Sequence, residues 1–193
     1  MIFYPSSTSH RGLFTYIKQK HGYINSSLVT IKGTVRDSGM NIFAAIDDTY
    51  NDRYVSSETP NPSLIIEFIS FPINITHYSF HFAPSWYYMR DWKISRMYQG
   101  KEYLLSEGSA RKDCVTDYHC ANDVYIVKEI ANPVVVDKIK IQQTTKRSNG
   151  DDFMEFKSFE VYGRLIVRTS QYKGFIKNKV AIVMISFIIL LIV

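Results

Sequence analysis

The chain has 193 residues, 46% of them hydrophobic and 15% aromatic, which is enough to bury a full core and too short for two large domains. Its formal charge of +5 is unevenly placed: Arg164, Arg168, Lys173, Lys177 and Lys179 have no acidic residue among them, and taking those five from the 23 basic residues leaves 18 against 18 acidic ones. The domain before them is neutral, which argues against a polyanion-binding face and a nucleic-acid partner.

The N-terminus, MIFYPSSTSHRGLF, lacks a charged n-region followed by an apolar h-region, so no signal peptide is read there. The segment Gly12 to Gly22 predicts one short helix, with Leu13, Phe14 and Ile17 on one face and Gly22 as its C-cap. From Ser27 onward strands follow at sandwich spacing: Leu28 to Lys32, Leu64 to Phe71, Ile73 to Phe82, Trp92 to Ser95 and Val124 to Ile130. Within Ile73 to Phe82, Tyr78, Phe80 and Phe82 alternate with His77, Ser79 and His81, which turns the aromatics inward.

Cys114 and Cys120 lie six apart in a polar stretch. They would stay reduced in the cytosol and could close a short loop outside the cell, while His119 beside them leaves a zinc site short of its four ligands. The sequons at Asn25 and Asn74 would accept glycans only in the secretory lumen.

Two further alternating runs close the domain. Val135, Ile139 and Ile141 oppose Lys138, Lys140 and Gln142, and Phe159 and Val161 oppose Ser158, Glu160 and Tyr162, across a polar loop from Lys146 to Asp152. Period two predicts antiparallel sandwich strands with Trp92, Phe80, Ile139, Ile141, Phe159 and Val161 in the core. Six or more short strands with no long helix between them give an all-β sandwich or jelly roll.

The last fourteen residues, Val180 to Val193, form an unbroken apolar run. As helix they reach about 21 Å, and counting from Gly174, with Lys177 and Lys179 snorkelling, about 30 Å, the thickness of a hydrocarbon core. The expected organisation is a domain over residues 3–165, a basic linker over 166–179 and a single-pass transmembrane tail over 180–193. Cations just before the span place the domain in the cytoplasm by the positive-inside rule. A polar spacer before the tail also fits a lipid-anchor signal at Ser170, which would reverse the side.

The order of segments GLFTYIKQKHG, LVTIKGT, AIDDTYNDRYVSSETPNPSLIIEF, NITHYSFHF, RDWKISRMYQGKEYLLSEGS and KIKIQQTTKRSNGDDFMEFKSFEVYG resembles the discoidin, or F5/8 type C, domain over about Phe3 to Gly163. Its wording is most similar to the divergent copies in protist proteins. Asp47, Tyr54 and Ser56 match the family's acidic block, and Glu160, Val161, Tyr162 and Gly163 match its closing motif. Arg96 to Gln99 replace its Ser-Asn-Asp-Gly turn, and Asp48 stands where Gly is common.

The resemblance implies an eight-stranded galactose-binding-like jelly roll that takes glycans, phospholipid head groups or protein surfaces at loops on one end. Those loops would be Val35 to Asn41, Ser56 to Pro62, Ala83 to Arg90 and Lys146 to Asp152. Trp86, Tyr87 and Tyr88, with Arg90, offer flat faces for a sugar ring or apolar group, although Trp86 and one tyrosine could equally fold back as lids on the core. Arg147 and Asn149 add donors and acceptors suited to hydroxyls, as a solvated turn would. The resemblance further implies a calcium site at Asp47, Thr49, Asp52 and Glu160, since calcium takes six to eight hard oxygens.

No phosphate-cradling glycine motif, HExxH or GxSxG pattern occurs, and Cys114 with His119 is the closest nucleophile–base pair. The expectation is a membrane-anchored, non-catalytic module for a carbohydrate or other ligand. The alternative is a protein-interaction or scaffolding domain at a membrane.

Overall fold

The computed structural model describes residues 1–5, 11–24, 26–38, 40–48, 53–82, 84–85, 87–111 and 124–166. The expected tail, Cys114, Cys120, His119, Trp86, Thr49, Asp52 and the sequon at Asn25 lie outside them. Among the described residues no helix is long and apolar enough to cross a membrane.

Eight strands of five or more residues build two facing antiparallel sheets. One sheet has β1 (Ile2–Phe3), β11 (Ser158–Leu165), β5 (Ile73–Phe82) and β8 (Val124–Val136) in that order. The other runs β2 (Val29–Gly33), β4 (Ser63–Phe68), β9 (Lys138–Gln143), β6 (Asp91–Tyr98) and β7 (Lys101–Ser109). A two-residue ladder pairs β3 (Tyr54–Val55) with β10 (Glu155–Phe156). Helix α1 (Leu13–His21) and a 3₁₀ turn (Ile42–Ala45) complete the described elements.

Alternation sets the core. In β9, Ile139 and Ile141 are buried while Lys138 and Lys140 face out, where they pair with Glu67 at 3.1 Å and Glu102 at 2.9 Å. Such exposed pairs hold strands in register without adding much stability. On β5 the inward aromatics centre on Phe80, whose ring lies 4.9 Å from Trp92 on the opposite sheet and 4.9 Å from Phe159. All six residues expected in the core are buried. The helix also stands as expected: Leu13, Phe14 and Ile17 are buried, and Gly22, at φ 79°, closes it by donating to the Lys18 carbonyl.

The run Val134 to Ile141 is not one strand. It turns at Asp137, so that Val134 to Val136 end β8 in one sheet and Lys138 starts β9 in the other. The turn breaks the phase, and Val135 is 46% exposed where the alternation predicts it buried; Val136 takes the core position. Sequence reading also ends the preceding strand at Ile130. β8 continues through Pro133, tolerated because β8 is the edge strand and Pro133 falls where its ladder with β5 shifts register, between Glu129 and Val134. The two closing runs, β9 and β11, thus face each other across the core from opposite sheets.

Gly163 explains the end of the Glu-Val-Tyr-Gly motif. The β11–β5 ladder shifts register between Tyr162 and Gly163, where φ is 149° and a Cβ would lie 2.0 Å from the Asn74 carbonyl oxygen. Gly163→Ala is expected to destabilise the domain by about 2 kcal/mol or more, measured by urea denaturation. A midpoint like that of the wild type would show that the bulge relaxes.

Candidate functional site

The four expected loops meet at one end of the sandwich. Arg36 N–H donates to the Val55 carbonyl, Ser56 N–H to Met154, Met89 N–H to Glu155 and Ser148 N–H to Tyr88. These backbone bonds tie each loop to a neighbour, so the end is built rather than loosely gathered.

Its centre is Glu155. The β3–β10 ladder brings Arg53 beside it, and Arg53 Nη1 lies 2.9 Å from Glu155 Oε1. Ser85 Oγ donates to the same oxygen at 3.1 Å and accepts from Tyr87 N–H at 3.1 Å. The second oxygen takes Arg147 Nη1, while Arg147 Nη2 donates to Asp151 at 2.8 Å. A buried guanidinium needs such charged, well-aimed partners to offset its lost hydration.

Two rings, Tyr87 and Phe153, each lie 4.8 Å from that guanidinium. Arg36 in turn lies 5.2 Å from the Phe153 ring. The result is an alternating pile of Arg36, Phe153, Arg147 and Tyr87, joined by cation–π contacts. Tyr87 caps it and is 41% exposed. Beside Tyr87 lies a shallow crevice of about 10 Å³, lined by Arg53, Ser85, Tyr87, Glu155 and Lys157 over Phe82, Tyr88 and Phe156.

The expected ligand residues therefore separate. Tyr87 stands where a ring can stack. Tyr88 does not: it is 2% exposed and its backbone N–H donates to Ser148 Oγ. Arg147, expected as an exposed hydroxyl partner, is 4% exposed and supports Tyr87 from beneath. Asn149 folds back on its own loop, bonding the Asp151 carboxylate through its amide and accepting from Asp151 N–H at 3.2 Å. Arg90 is half-buried at the loop's base, its carbonyl accepting from Ala110 N–H. Sequence reasoning misses Arg53, Ser85, Phe153 and Glu155; the acidic-aromatic run DDFMEF is a local signal for the last two alone.

Of the four residues expected to hold calcium, Thr49 and Asp52 lie outside the described residues, and the other two already have partners. Asp47 is held by Lys18 Nζ at 2.6 and 2.7 Å, and Glu160 accepts from Phe14 N–H, Thr15 N–H, Thr15 Oγ and Val161 N–H. Among the described residues no group of three His, Cys, Asp or Glu converges as metal ligands do. Burial pushes the Glu160 carboxyl up to about 7, against the pull of those donors. A carboxyl raised in the folded state contributes stability that is fully present below its ordinary value of 4.5 and is lost as the pH rises through about 7. Glu160→Gln is expected to flatten that fall, read as urea midpoints across the range; an unchanged slope would assign it to other groups.

A second polar cluster, invisible to the strand pattern, fastens the turn after Ile46 onto the outer face of the β11–β5–β8 sheet. Asp48 accepts from His81 Nδ1 at 2.6 Å, Tyr125 OH at 2.9 Å and Ser158 Oγ at 3.2 Å. Burial works against the Asp48 charge, but the His81 and Tyr125 contacts outweigh it and hold the carboxyl below its ordinary value. His81 is buried for this reason, and Ser79 lies against the Tyr162 hydroxyl at 3.0 Å, although their phase on β5 is the outward one.

No family model and no curated protein matches the chain. Solved structures do. The family 32 CBM of NanJ from C. perfringens, in complex with galactose, is 18% identical with a TM-score of 0.53, covering 69% of this chain and 93% of that one. CBM32-3 of a family 31 glycoside hydrolase from Clostridium perfringens is 14% identical with a TM-score of 0.58, covering 73% and 94%. CBM32-1 of that organism's family 31 glycoside hydrolase is 14% identical with a TM-score of 0.53, covering 71% and 97%. The fold is therefore the discoidin-like (galactose-binding-like) jelly roll, as the ordered segments of the sequence predict.

Proposed function

We propose that this chain is a non-catalytic carbohydrate-binding module, held at a membrane by the apolar segment Val180 to Val193. The observation that carries the reading is Tyr87: an exposed ring, fixed from below by the Arg147 guanidinium and bordered by a polar concavity. A pyranose presents an apolar face to an aromatic ring and hydroxyls to its rim, and Arg53 and Lys157 supply donors at that rim. At about 10 Å³ the crevice has room for about one water, so a sugar ring would rest on Tyr87 and the rim without entering it, and a single ring would bind weakly. Copies clustered in a membrane would raise avidity without new contacts. Several solved structures of this fold are CBMs, one of them in complex with galactose, which supports a sugar as ligand.

Tyr87→Ala is expected to abolish binding on a glycan array at an unchanged unfolding temperature. Unaltered binding would move the site elsewhere, and an equal loss of stability would make Tyr87 a lid. Deleting Val180 to Val193 is expected to release a folded domain from membranes, and continued pelleting at high salt would assign membrane affinity to the loops.

The scaffolding reading rests on another surface, the β6–β7 hairpin. Tyr98, Tyr103 and Leu104 are exposed there, with Arg96 between the two tyrosines at 4.8 and 5.2 Å. Retention of a protein partner by Tyr87→Ala, lost in Tyr103→Ala, would favour it.

A further inference from the structure

Helix α1 starts without a cap of its own. Gly12 occupies the N-cap position, no acidic residue stands in the first turn, and no neighbouring side chain bonds the free amides. The cap comes from 145 residues away, as Glu160 Oε1 takes Phe14 N–H at 2.8 Å and Glu160 Oε2 takes both Thr15 N–H at 2.9 Å and Thr15 Oγ at 2.8 Å. The approach is close enough to require glycine: a Cβ on Gly12 would sit 2.4 Å from Glu160 Cγ and 2.5 Å from the Val161 carbonyl oxygen.

Three residues on from Thr15, and so on the same helix face, Lys18 reaches the other carboxylate. Its Nζ bridges both oxygens of Asp47, which is 7% exposed. One helical face thus meets the two described carboxylates that the discoidin resemblance assigns to calcium. The positive end of the helix faces Glu160, and an ammonium faces Asp47. Every carboxylate oxygen of the pair already accepts from α1. Calcium bound there would need those oxygens within about 2.6 Å of itself, displacing both Lys18 and the first helical turn.

We infer that Lys18 and the N-terminus of α1 take the place of a divalent cation in this chain, locking the acidic block after the 3₁₀ turn to β11 from within the polypeptide. The fold is consequently independent of calcium. The inference does not rest on the loop-end sugar site and survives its failure.

The test uses the full chain in detergent, followed by thermal unfolding in EDTA and in a calcium series up to millimolar. The wild type is expected to unfold at one temperature throughout. Lys18→Ala is expected to lower that temperature by roughly 5 °C and to speed amide exchange in Ile42 to Asp48, with Lys18→Arg restoring both. A wild-type unfolding temperature that climbs with the logarithm of calcium concentration, as binding to the folded state requires, overturns the inference. So does a Lys18→Ala chain with wild-type stability and exchange. Should Lys18→Ala fail to fold, the wild-type calcium series and Lys18→Arg still decide.

Discussion

Trp92→Ala is expected to remove about 3–5 kcal/mol of stability, a large part of the about 5–15 kcal/mol that holds a domain of this kind together. The indole is 1% exposed and lies between the sheets, edge-on to Phe80 at 4.9 Å and 6.1 Å from Phe82. Its Nε1 donates to the buried Tyr78 hydroxyl at 3.1 Å, so truncation leaves both a cavity and a polar group short of a partner. At roughly 2–4 °C per kcal/mol the unfolding temperature should fall by about 6–20 °C, and the urea midpoint should fall with it. A loss below about 1 kcal/mol would mean that the aromatic cluster collapses into the space.

Arg147→Met is expected to cost about 3 kcal/mol and to weaken glycan binding in the same protein. The pair with Glu155 is 5% exposed on both side chains, and removing one partner of a buried pair leaves the other charge with fewer partners. Arg53 still reaches Glu155 from its half-exposed position, which keeps the cost near the lower end of the usual range. Binding falls because Tyr87 loses the cation that fixes its ring, so part of any ligand's affinity is spent on ordering it. Arg147→Met combined with Glu155→Gln should recover part of the stability and none of the binding, as shown by a double-mutant cycle in urea alongside the glycan array. Full recovery of binding in the double variant would remove Arg147 from the positioning of Tyr87.

The loop end shows where sequence reading stops. Tyr87 and Tyr88 are chemically equivalent neighbours, and nothing local says that one caps the Arg147 pile and the other enters the core. That choice follows from Ser85 and Ser148, which bond the two backbone N–H groups from different loops. Arg147 in a run of Lys, Ser, Asn and Asp reads as solvated, and is buried because Glu155, Asp151, Tyr87 and Phe153 close round it. The two described carboxylates of the expected calcium set show the same limit: nothing near them in sequence says that their partners come from α1.

Hydrophobic periodicity determined the sandwich, most of its inward residues and the short N-terminal helix, because burial of one strand or helix face is a local property written every second or every third and fourth residue. The order of segments further implied which end carries the loops. The tertiary structure decided the turn at Asp137 that separates β8 from β9, the exposure of Tyr87 over Tyr88, and the capture of Glu160 and Asp47 by one helix. Each of these depends on groups distant along the chain meeting in space, and the cost of leaving a buried polar group without its partner selects among them.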